Sequence, residues 1–440
     1  RAASSFRAHR MFENASARAH RRLSAPNPRR DFKGDYMARI AILDALFNWP
    51  PDGGARTDIK EIATRLAEHH EVKMFVPDFR WFFPRGRINA QPCFEIEKIP
   101  FDPRSFHHTR VADRFKQRVS RFRPDHALIA DAWNLKPHLM EAMSDYSTYV
   151  REYAYESSCF RTQAFNGKKA CALTHLSGNE RDRIRCLLCT FKWMARTQPL
   201  NHIHEFMAAH AFTREYVRKS RSRLRRLRKI IVYNEFAKSR IEGLNGNIQI
   251  TPGGVDPNLF KPAPDPRSTR PVHILMVGRA TTRMKGFPVL YSACNMLRRD
   301  GFDFRLLCTG RSAMQRQGVQ CMGWLSQEEL PGLYAQSDIC VVPSIWPEPF
   351  GIVALEAMAS GKPVIVSRVG GLQNIIQDGV EGFIVAPGSP EQLRDRLTLL
   401  LRDPGLRKRM GEAGRQRVLA TYTWDHVYEK HYAPLFDGNI

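Results

Sequence analysis

The chain has 440 residues, of which 68 are Lys or Arg and 44 are Asp or Glu, so its formal net charge is +24. A chain of this length exceeds one ordinary hydrophobic core, and we expect two or three domains. It contains no run of roughly 18–20 apolar residues, so we expect no transmembrane helix. Its nine cysteines are irregularly spaced, which excludes a small secreted disulfide scaffold. The high positive charge favours an anionic partner, which could be nucleic acid, an anionic membrane or a polyanionic ligand.

The positive charge is concentrated in two segments. Residues 1–36 carry 9 basic and 3 acidic groups without apolar periodicity, and we predict a disordered basic tail there. An organelle transit peptide and an upstream extension share this composition. Residues 151–240 carry 20 basic and 7 acidic groups, so any electrostatic partner is expected near this second segment.

Short apolar runs alternate with helical periodicity after the tail. Residues 38–44 predict a buried strand, and a loop containing Gly53 and Gly54 separates it from a predicted helix at 56–69. Further alternation of this kind continues to about residue 250. Parallel sheets that are covered by helices on both faces give this pattern.

A second series follows the Pro-rich stretch 252–271, which is the best candidate for a linker. Its predicted strands are 272–278, 304–309, 338–343 and 363–367, and its predicted helices are 285–299, 326–336 and 350–360. Ser326 and Glu329 form a capping-box pattern for the middle helix. The sequence therefore predicts an α/β protein of two doubly wound domains, whose crevice is the default ligand site.

Four of the nine cysteines cluster with the spacing C-x11-C-x14-C-x2-C, and they are Cys159, Cys171, Cys186 and Cys189. Four thiolates with one close pair suit a tetrahedral structural zinc. The polar, turn-rich run around them is hard to fold without such a staple. An iron–sulfur cluster and four unrelated buried thiols are the alternatives.

Residues 213–231 read as a basic amphipathic helix. Val217, Leu224, Leu227 and Ile231 share one predicted stripe, and eight cations occupy the twelve positions 218–229. Such a helix docks on anionic lipid, with about 1 kcal/mol from each cation near the surface. A packed helix with a basic polar face is the alternative for the stripe itself.

The segment 343–366 carries the most informative pattern. Glu348 and Glu356 have seven residues between them, and Gly351 lies where a strand end passes into a helix. A helix start offers free N–H groups and a positive dipole end, and a glycine lets the backbone approach a ligand. Glu356, about two turns into the predicted helix, suits a ribose hydroxyl pair, and Glu348 suits the other end of the same ligand. The pattern favours a nucleotide-sugar site; a capped helix with a solvated face is the alternative.

Two cations precede this segment. Gly278 and Arg279 end a predicted strand, and Lys285 opens a helix six residues after Arg279. A guanidinium and an ammonium near a helix start neutralise a diphosphate, and they stabilise a departing phosphate more as its charge grows. Taken alone, this spacing is a weak signal, and it is more often ordinary surface charge than a binding site.

Together, the run GRATTRMKG, the GW pair at 323–324 and the E-x7-E segment resemble the retaining glycosyltransferases of family 4. The resemblance spans roughly residues 38–436 and is strongest from about 250 onward. It implies the GT-B architecture, in which two Rossmann-like domains face each other across a cleft. The implied parts are a tail (1–36), an acceptor-binding domain (37–250) with a Cys-rich insert at about 157–190, a donor-binding domain (251–422) and a helix crossing back (423–440).

The resemblance also implies a role for each site residue. Arg279 and Lys285 hold the donor diphosphate, Glu356 binds the ribose, and Glu348 binds the transferred sugar and the β-phosphate. The other implied donor-binding positions are Gly53, Gly54, Gly278, Phe350, Gly351 and Ile352. No cofactor is implied for catalysis. One departure concerns a histidine that many relatives carry after the strand matching 147–150: Arg151, Glu152 and Tyr153 follow here, so the sugar contact is lost or passes to Glu152 or Tyr153.

We therefore expect a retaining hexosyltransferase that uses a UDP- or GDP-sugar and a glycan or lipid-linked acceptor in surface polysaccharide or lipopolysaccharide synthesis. The expected location is the cytoplasm or the inner face of the membrane, without a nucleic-acid partner. A zinc-stapled nucleic-acid-binding protein is the rival from another class, but it does not account for Glu348 and Glu356. An inactive glycosyltransferase-like scaffold is the second alternative.

Overall fold

The computed structural model describes residues 37–437, except residues 52, 80–85, 90–91, 198–199, 264–270 and 311–315. The predicted basic tail 1–36 lies outside the described residues. The described chain forms two α/β units, each built around one parallel sheet. Within these residues, no helix combines the length and the apolar character needed to cross a membrane.

The first sheet has seven strands in the order β3-β2-β1-β4-β5-β6-β7. They are β1 (Arg39–Leu43), β2 (Glu71–Asp78), β3 (Glu95–Pro100), β4 (His126–Ile129), β5 (Ser147–Arg151), β6 (Lys229–Val232) and β7 (Ile248–Ile250). Side chains of β1 alternate between two buried layers, with Ile40 and Ile42 in one and Ala41 and Leu43 in the other. Burial on both faces explains why residues 40–43 of this strand are all apolar.

Between residues 37 and 250, the described part of the chain has the helices α1 (Gly54–His69), α2 (His108–Phe122), α3 (Lys136–Ala142), α4 (Glu180–Thr197), α5 (Leu200–Ala208), α6 (Arg214–Leu224) and α7 (Glu235–Ser239). Helices α4, α5 and α6 belong to the long crossover between β5 and β6, which also contains the four clustered cysteines. This crossover is much longer than the common connections of α/β units.

The predicted basic helix 213–231 is wrong beyond Leu224. Helix α6 ends there, residues 225–228 form a turn, and Lys229 begins β6. Val217 and Leu224 are buried in the core of the first unit, whereas Ile231 lies on β6 in the opposite layer. The apolar stripe therefore packs into the protein and does not face lipid, as the packed-helix alternative requires.

The second sheet has six strands in the order β10-β9-β8-β11-β12-β13. They are β8 (Val272–Met276), β9 (Phe304–Cys308), β10 (Val319–Cys321), β11 (Ile339–Val342), β12 (Val364–Ser367) and β13 (Gly382–Val385). The helices are α8 (Phe287–Arg299), α9 (Leu330–Gln336), α10 (Ile352–Ala359), α11 (Pro390–Arg402) and α12 (Pro404–Thr421). The helix predicted from 326 begins at Leu330, because Ser326 and Glu329 close a separate turn in front of it.

The last two helices, α13 (Trp424–His431) and α14 (Ala433–Phe436), return to the first unit. Trp424, Tyr428 and Phe436 pack in the same buried layer as Ile40 and Ile42 of β1. Tyr149 of β5 also donates a hydrogen bond to the carbonyl of Leu435 at 3.0 Å. The end of the chain therefore fastens the two units together.

Candidate functional site

Two helix N-termini meet between the units. Gly351 precedes α10 with φ of 120°, and a Cβ there would lie 2.3 Å from Leu372. Gly53 precedes α1, and a Cβ on Gly54 would lie 3.5 Å from the side chain of Ile352. Because helix starts present free N–H groups and positive dipole ends, this junction favours an anion. The predicted glycines of the two domains thus lie together.

Glu348 lies in the loop before α10 and accepts three hydrogen bonds. Lys285 Nζ donates to Oε1 at 2.7 Å, while Ser344 Oγ and Trp346 Nε1 donate to Oε2 at 2.9 and 2.7 Å. Only 8% of Glu348 is exposed. These donors fix the orientation of the carboxylate before any ligand binds.

The position of Lys285 depends on a glycine. Residues Arg283–Lys285 form a 3₁₀ turn, and Gly286 follows with φ of 79°. A Cβ on Gly286 would lie 1.7 Å from the carbonyl oxygen of Pro343, so only glycine lets the turn approach the loop that carries Glu348. The N–H of Ile345 donates to the carbonyl of Met284 at 2.9 Å and joins the two segments.

Glu356 is the fifth residue of α10, which places it little more than one turn into the helix and not two. It is 4% exposed, and Tyr334 Oη donates to its Oε2 at 2.8 Å. Burial raises the pKa of Glu356 to about 7. Both of its protonation states are therefore populated near neutral pH.

Arg279 follows Gly278 at the end of β8. Gly278 has φ of 119°, and Thr309 Oγ1 lies 2.7 Å from its N–H nitrogen and 3.0 Å from its carbonyl oxygen. The side chain of Arg279 is exposed and pairs with none of the described carboxylates. Its charge is therefore available to an incoming anion.

The loop before α10 also contacts the first unit. Phe350 stacks on Tyr233 with ring centroids 5.3 Å apart, Asn234 Nδ2 donates to the carbonyl of Pro349, and Tyr155 Oη donates to that of Pro347. The ring of Phe350 therefore serves the contact between the units, and its backbone leads directly into the start of α10.

Arg151, the first residue of the segment 151–153 for which the sequence predicts a changed sugar contact, is completely buried. Its guanidinium lies 3.2 Å from Asp58 Oδ1, 3.1 Å from the carbonyl oxygen of Thr251 and 3.9 Å from the centre of the Tyr233 ring. Glu152, considered above for a sugar contact, is 4% exposed and accepts a hydrogen bond from its neighbour Ser157. Tyr153, the other residue considered for that contact, is also buried. The buried side chains of residues 151–153 therefore make their contacts within the protein itself.

The sequence reasoning missed a buried cluster at the carboxyl ends of β1 and β4. The strand order reverses between these strands, which is where doubly wound sheets bind ligands. Burial raises the pKa of Asp44 to about 6, and burial with the nearby charge of Asp44 raises that of Asp131 to about 7. Lys136 Nζ donates to Glu156 Oε1 at 2.8 Å beside them. The available signal was an aspartate after each of two apolar runs, ARIAILD and HALIAD.

The four clustered cysteines lie near one another around Cys186. Burial, followed by the proximity of Cys159, Cys171 and Cys189, raises the pKa of its thiol to about 12. Arg161 donates a hydrogen bond to Cys189 Sγ at 3.1 Å. Among the described residues, no three of these thiols lie within 4.8 Å of one another. The zinc site therefore stays a prediction.

A basic cavity of about 600 Å³ lies between α4 and α6. Its charged and polar lining comprises His175, Asn179, Glu180, Arg183, Arg214, Arg218, Arg221, Ser222, Arg225 and Arg226. His175 is 1% exposed, and neither of its ring nitrogens has a hydrogen-bond partner. Glu180 pairs with Arg183 and Arg214, so the remaining arginines give the cavity a positive charge.

The comparisons with known proteins give a family match for part of the chain and a fold match for most of it. Residues 260–417 match the model of the family described as glycosyl transferases group 1. An uncharacterized glycosyltransferase of Methanocaldococcus jannaschii is 36% identical over 166 residues, or 35% of this chain and 42% of that protein. The match therefore spans less than half the length of this curated relative.

Solved structures extend the likeness to both units. Sucrose-phosphate synthase from Thermosynechococcus elongatus has a TM-score of 0.65 at 20% identity, covering 91% of this chain and 99% of that one. Anabaena HepE in complex with UDP-glucose has a TM-score of 0.63 at 15% identity, covering 90% and 99%. With the two parallel sheets, this confirms the predicted GT-B fold of two Rossmann-like domains. Residues 260–417 thus match the glycosyl transferases group 1 family within a chain that has a GT-B fold.

Proposed function

We propose that this protein is a retaining glycosyltransferase that moves a sugar from a UDP- or GDP-sugar to a glycan or lipid-linked acceptor in surface polysaccharide synthesis. The observation that carries the proposal is the placement of Lys285, Glu348 and Glu356 at two helix starts that meet between the domains. Arg279, which is exposed after β8, is the further cation that we assign to this site. The group 1 family match and the UDP-glucose complex of Anabaena HepE support this donor class.

Each group has a task in this chemistry. The helix starts and the cations Arg279 and Lys285 attract the donor diphosphate, and they stabilise the leaving phosphate as the glycosidic bond breaks. Glu348 and Glu356 accept hydrogen bonds from hydroxyls of the transferred sugar and of the ribose, respectively. Retention follows when the acceptor hydroxyl attacks from the side of the leaving phosphate, whose oxygen takes the hydroxyl proton.

The first test is binding of the donor. In a thermal-shift screen of UDP- and GDP-sugars, we expect one nucleotide class to stabilise the protein by about 2.7 kcal/mol at a hundred times its Kd. Turnover of the sugar that binds then separates an enzyme from an inactive scaffold. Stabilisation without hydrolysis or transfer would favour the scaffold, and an absence of stabilisation by any nucleotide would contradict the donor site.

Glu356 predicts a specific pH dependence of nucleotide binding. The carboxylate form of Glu356 accepts hydrogen bonds from the ribose hydroxyls. Because its pKa is about 7, about half of the free protein carries the protonated form of Glu356 at pH 7. Binding must then release a proton, so the affinity for UDP or GDP should rise about tenfold from pH 6 to pH 8. Calorimetry in two buffers of different ionisation enthalpy measures the released proton.

Replacing Glu356 by glutamine should weaken nucleotide binding at least tenfold and remove the pH dependence. Glu412, an exposed residue of α12, provides the control, because Glu412→Gln changes the same charge at a surface position to which no donor contact is assigned. Equal Kd values and equal proton release for the Glu356→Gln variant and the wild type would remove Glu356 from the ribose site.

For the acceptor, we propose an anionic or lipid-linked glycan held at the inner face of the membrane. The support is electrostatic, because the apolar stripe of α6 is buried while Arg218, Arg225 and Arg226 are exposed beside the basic cavity. No described carboxylate pairs with these three side chains. For the four cysteines, we propose a structural zinc, supported by the three thiols around Cys186.

Vesicle binding tests the membrane proposal. Arg225→Ala with Arg226→Ala should weaken binding to phosphatidylglycerol vesicles about thirtyfold, since each cation near the surface contributes about 1 kcal/mol. The matched control is Lys408→Ala with Arg409→Ala, which removes two exposed cations from α12. An equal loss of vesicle binding in both double variants would show that binding depends only on the net charge of the protein. Tighter, steeply salt-dependent binding to DNA or RNA would favour the nucleic-acid alternative.

A further inference from the structure

Three histidine rings meet where the start of α2 touches the turn between α5 and α6. His107 Nε2 and His210 Nε2 are 3.0 Å apart, and His108 completes the group. One ring nitrogen from each residue lies within 4.8 Å of the other two. The three ring centroids are 4.1 to 4.5 Å apart. None of these residues belongs to the donor site.

The hydrogen bonds of this cluster leave lone pairs in its centre. His107 Nδ1 contacts Thr109 Oγ1 at 3.1 Å, so its Nε2 faces His210. His108 Nδ1 is buried without any hydrogen-bond partner. A neutral imidazole nitrogen is the form that binds metals, and the unpartnered Nδ1 of His108 offers such a nitrogen.

We propose that His107, His108 and His210 bind one divalent transition-metal ion, with zinc as the reference ion. Imidazole nitrogen is a preferred ligand of such ions, and three histidines leave one coordination position for water. A hydrogen bond inside the cluster satisfies at most one pair of nitrogens, whereas an ion satisfies one nitrogen from each ring.

The surroundings hold the rings in place. His138 packs on His108 with centroids 4.7 Å apart, and it hydrogen-bonds through Nε2 to the carbonyl of Ala209, next to His210, at 2.9 Å. The charges of two cations, Arg110 and Lys219, act on the cluster. They weaken the binding of a metal cation, so we expect micromolar rather than nanomolar affinity for zinc.

The ion would link distant parts of the acceptor-binding domain. His107 and His108 lie at the start of α2, while His210 lies in the turn before α6 with φ of 51°. A metal at this point therefore fastens the long crossover between β5 and β6 to the body of the domain. Because an ion that binds only the folded state stabilises it, zinc should raise the Tm.

The test uses full-length, tag-free protein stripped with a chelator and titrated with Zn²⁺ and Co²⁺. The Cys186→Ser/Cys189→Ser background removes the close thiol pair, so a histidine site should still bind one equivalent and show only weak Co²⁺ d–d bands. Thiolate-to-cobalt charge-transfer bands in the wild type report the cysteine site separately. His210→Asn, which keeps a residue that tolerates positive φ, and His107→Gln should each weaken binding at least tenfold.

The matched control is His204→Gln, which changes an exposed histidine on α5 and should leave the Zn²⁺ affinity unchanged. Equal affinities for His210→Asn, His107→Gln and His204→Gln would overturn the proposal, as would an absence of binding in the Cys186→Ser/Cys189→Ser background. Should that background not fold, Cu²⁺ bound to the wild type reports the ligands directly, and an electron paramagnetic resonance spectrum without imidazole nitrogen coupling would equally overturn it. Donor binding is measured in the same variants, and the metal proposal stands or falls independently of it.

Discussion

Replacing Lys285 by alanine is expected to lower the turnover of the nucleotide-sugar about 10²–10³-fold, the usual cost of removing one group that stabilises developing charge. In the free protein, Lys285 Nζ contacts Glu348 at 2.7 Å, so the ammonium is already placed beside the start of α10. Its contribution grows as negative charge builds on the leaving phosphate, and the loss should therefore fall mainly on kcat. Steady-state kinetics with the donor found by thermal shift gives both kcat and KM.

The neighbouring Arg283→Ala variant controls for charge and position. Arg283 lies in the same 3₁₀ turn as Lys285, but its side chain is exposed and contacts none of the described carboxylates. We expect its kcat within about twofold of the wild type, because surface substitutions away from a site have small effects. A Lys285→Ala enzyme with unchanged kcat would remove Lys285 from the catalytic group. A fall in Tm, by contrast, would report the loss of the partner of Glu348.

The order of strands and helices could be predicted because the sequence patterns that indicate each element involve only residues that are close together in the chain. Strand β1 and helix α1 lie within two residues of the predicted limits, since apolar periodicity and glycine punctuation act over short distances. The prediction of a basic helix over residues 213–231 was wrong past Leu224 for a related reason. Its cations continue the helical period past Leu224, but the run Ile230, Ile231 and Val232 is β-branched and is required by the sheet next to β5.

The sequence predicts which residues form the candidate site, but it does not predict which of their side chains contact each other. The spacing of Glu348 and Glu356 is visible in sequence, whereas the ion pair of Glu348 with Lys285 joins residues 63 positions apart. Asp44 and Asp131 come together only when β1 and β4 pair. For residues 151–153 the sequence predicts a sugar contact that is lost or passes to Glu152 or Tyr153. The burial of Arg151 against Asp58 depends on segments that no local pattern connects.

Replacing Arg151 by methionine is expected to lower the free energy of unfolding by about 3–5 kcal/mol, the cost of leaving a buried charge unpaired. Arg151 and Asp58 are both almost completely inaccessible, so water cannot solvate the remaining carboxylate. The change also removes the hydrogen bond to the carbonyl of Thr251 and the contact with the ring of Tyr233. Urea unfolding followed by tryptophan fluorescence measures the loss.

A double replacement separates an unpaired charge from a simple loss of packing. Arg151→Met with Asp58→Asn removes both charges, and it should recover most of the stability lost in Arg151→Met, because the pair itself contributes little net energy once both charges are gone. Arg226→Met, at an exposed position, should change stability by less than about 0.5 kcal/mol. If the double variant is as unstable as Arg151→Met, the guanidinium acts through its packing between β5, Thr251 and Tyr233, and the charge of Asp58 is not the cause. A large loss of stability in Arg151→Met, whichever cause the double variant shows, means that Arg151 holds this part of the fold together.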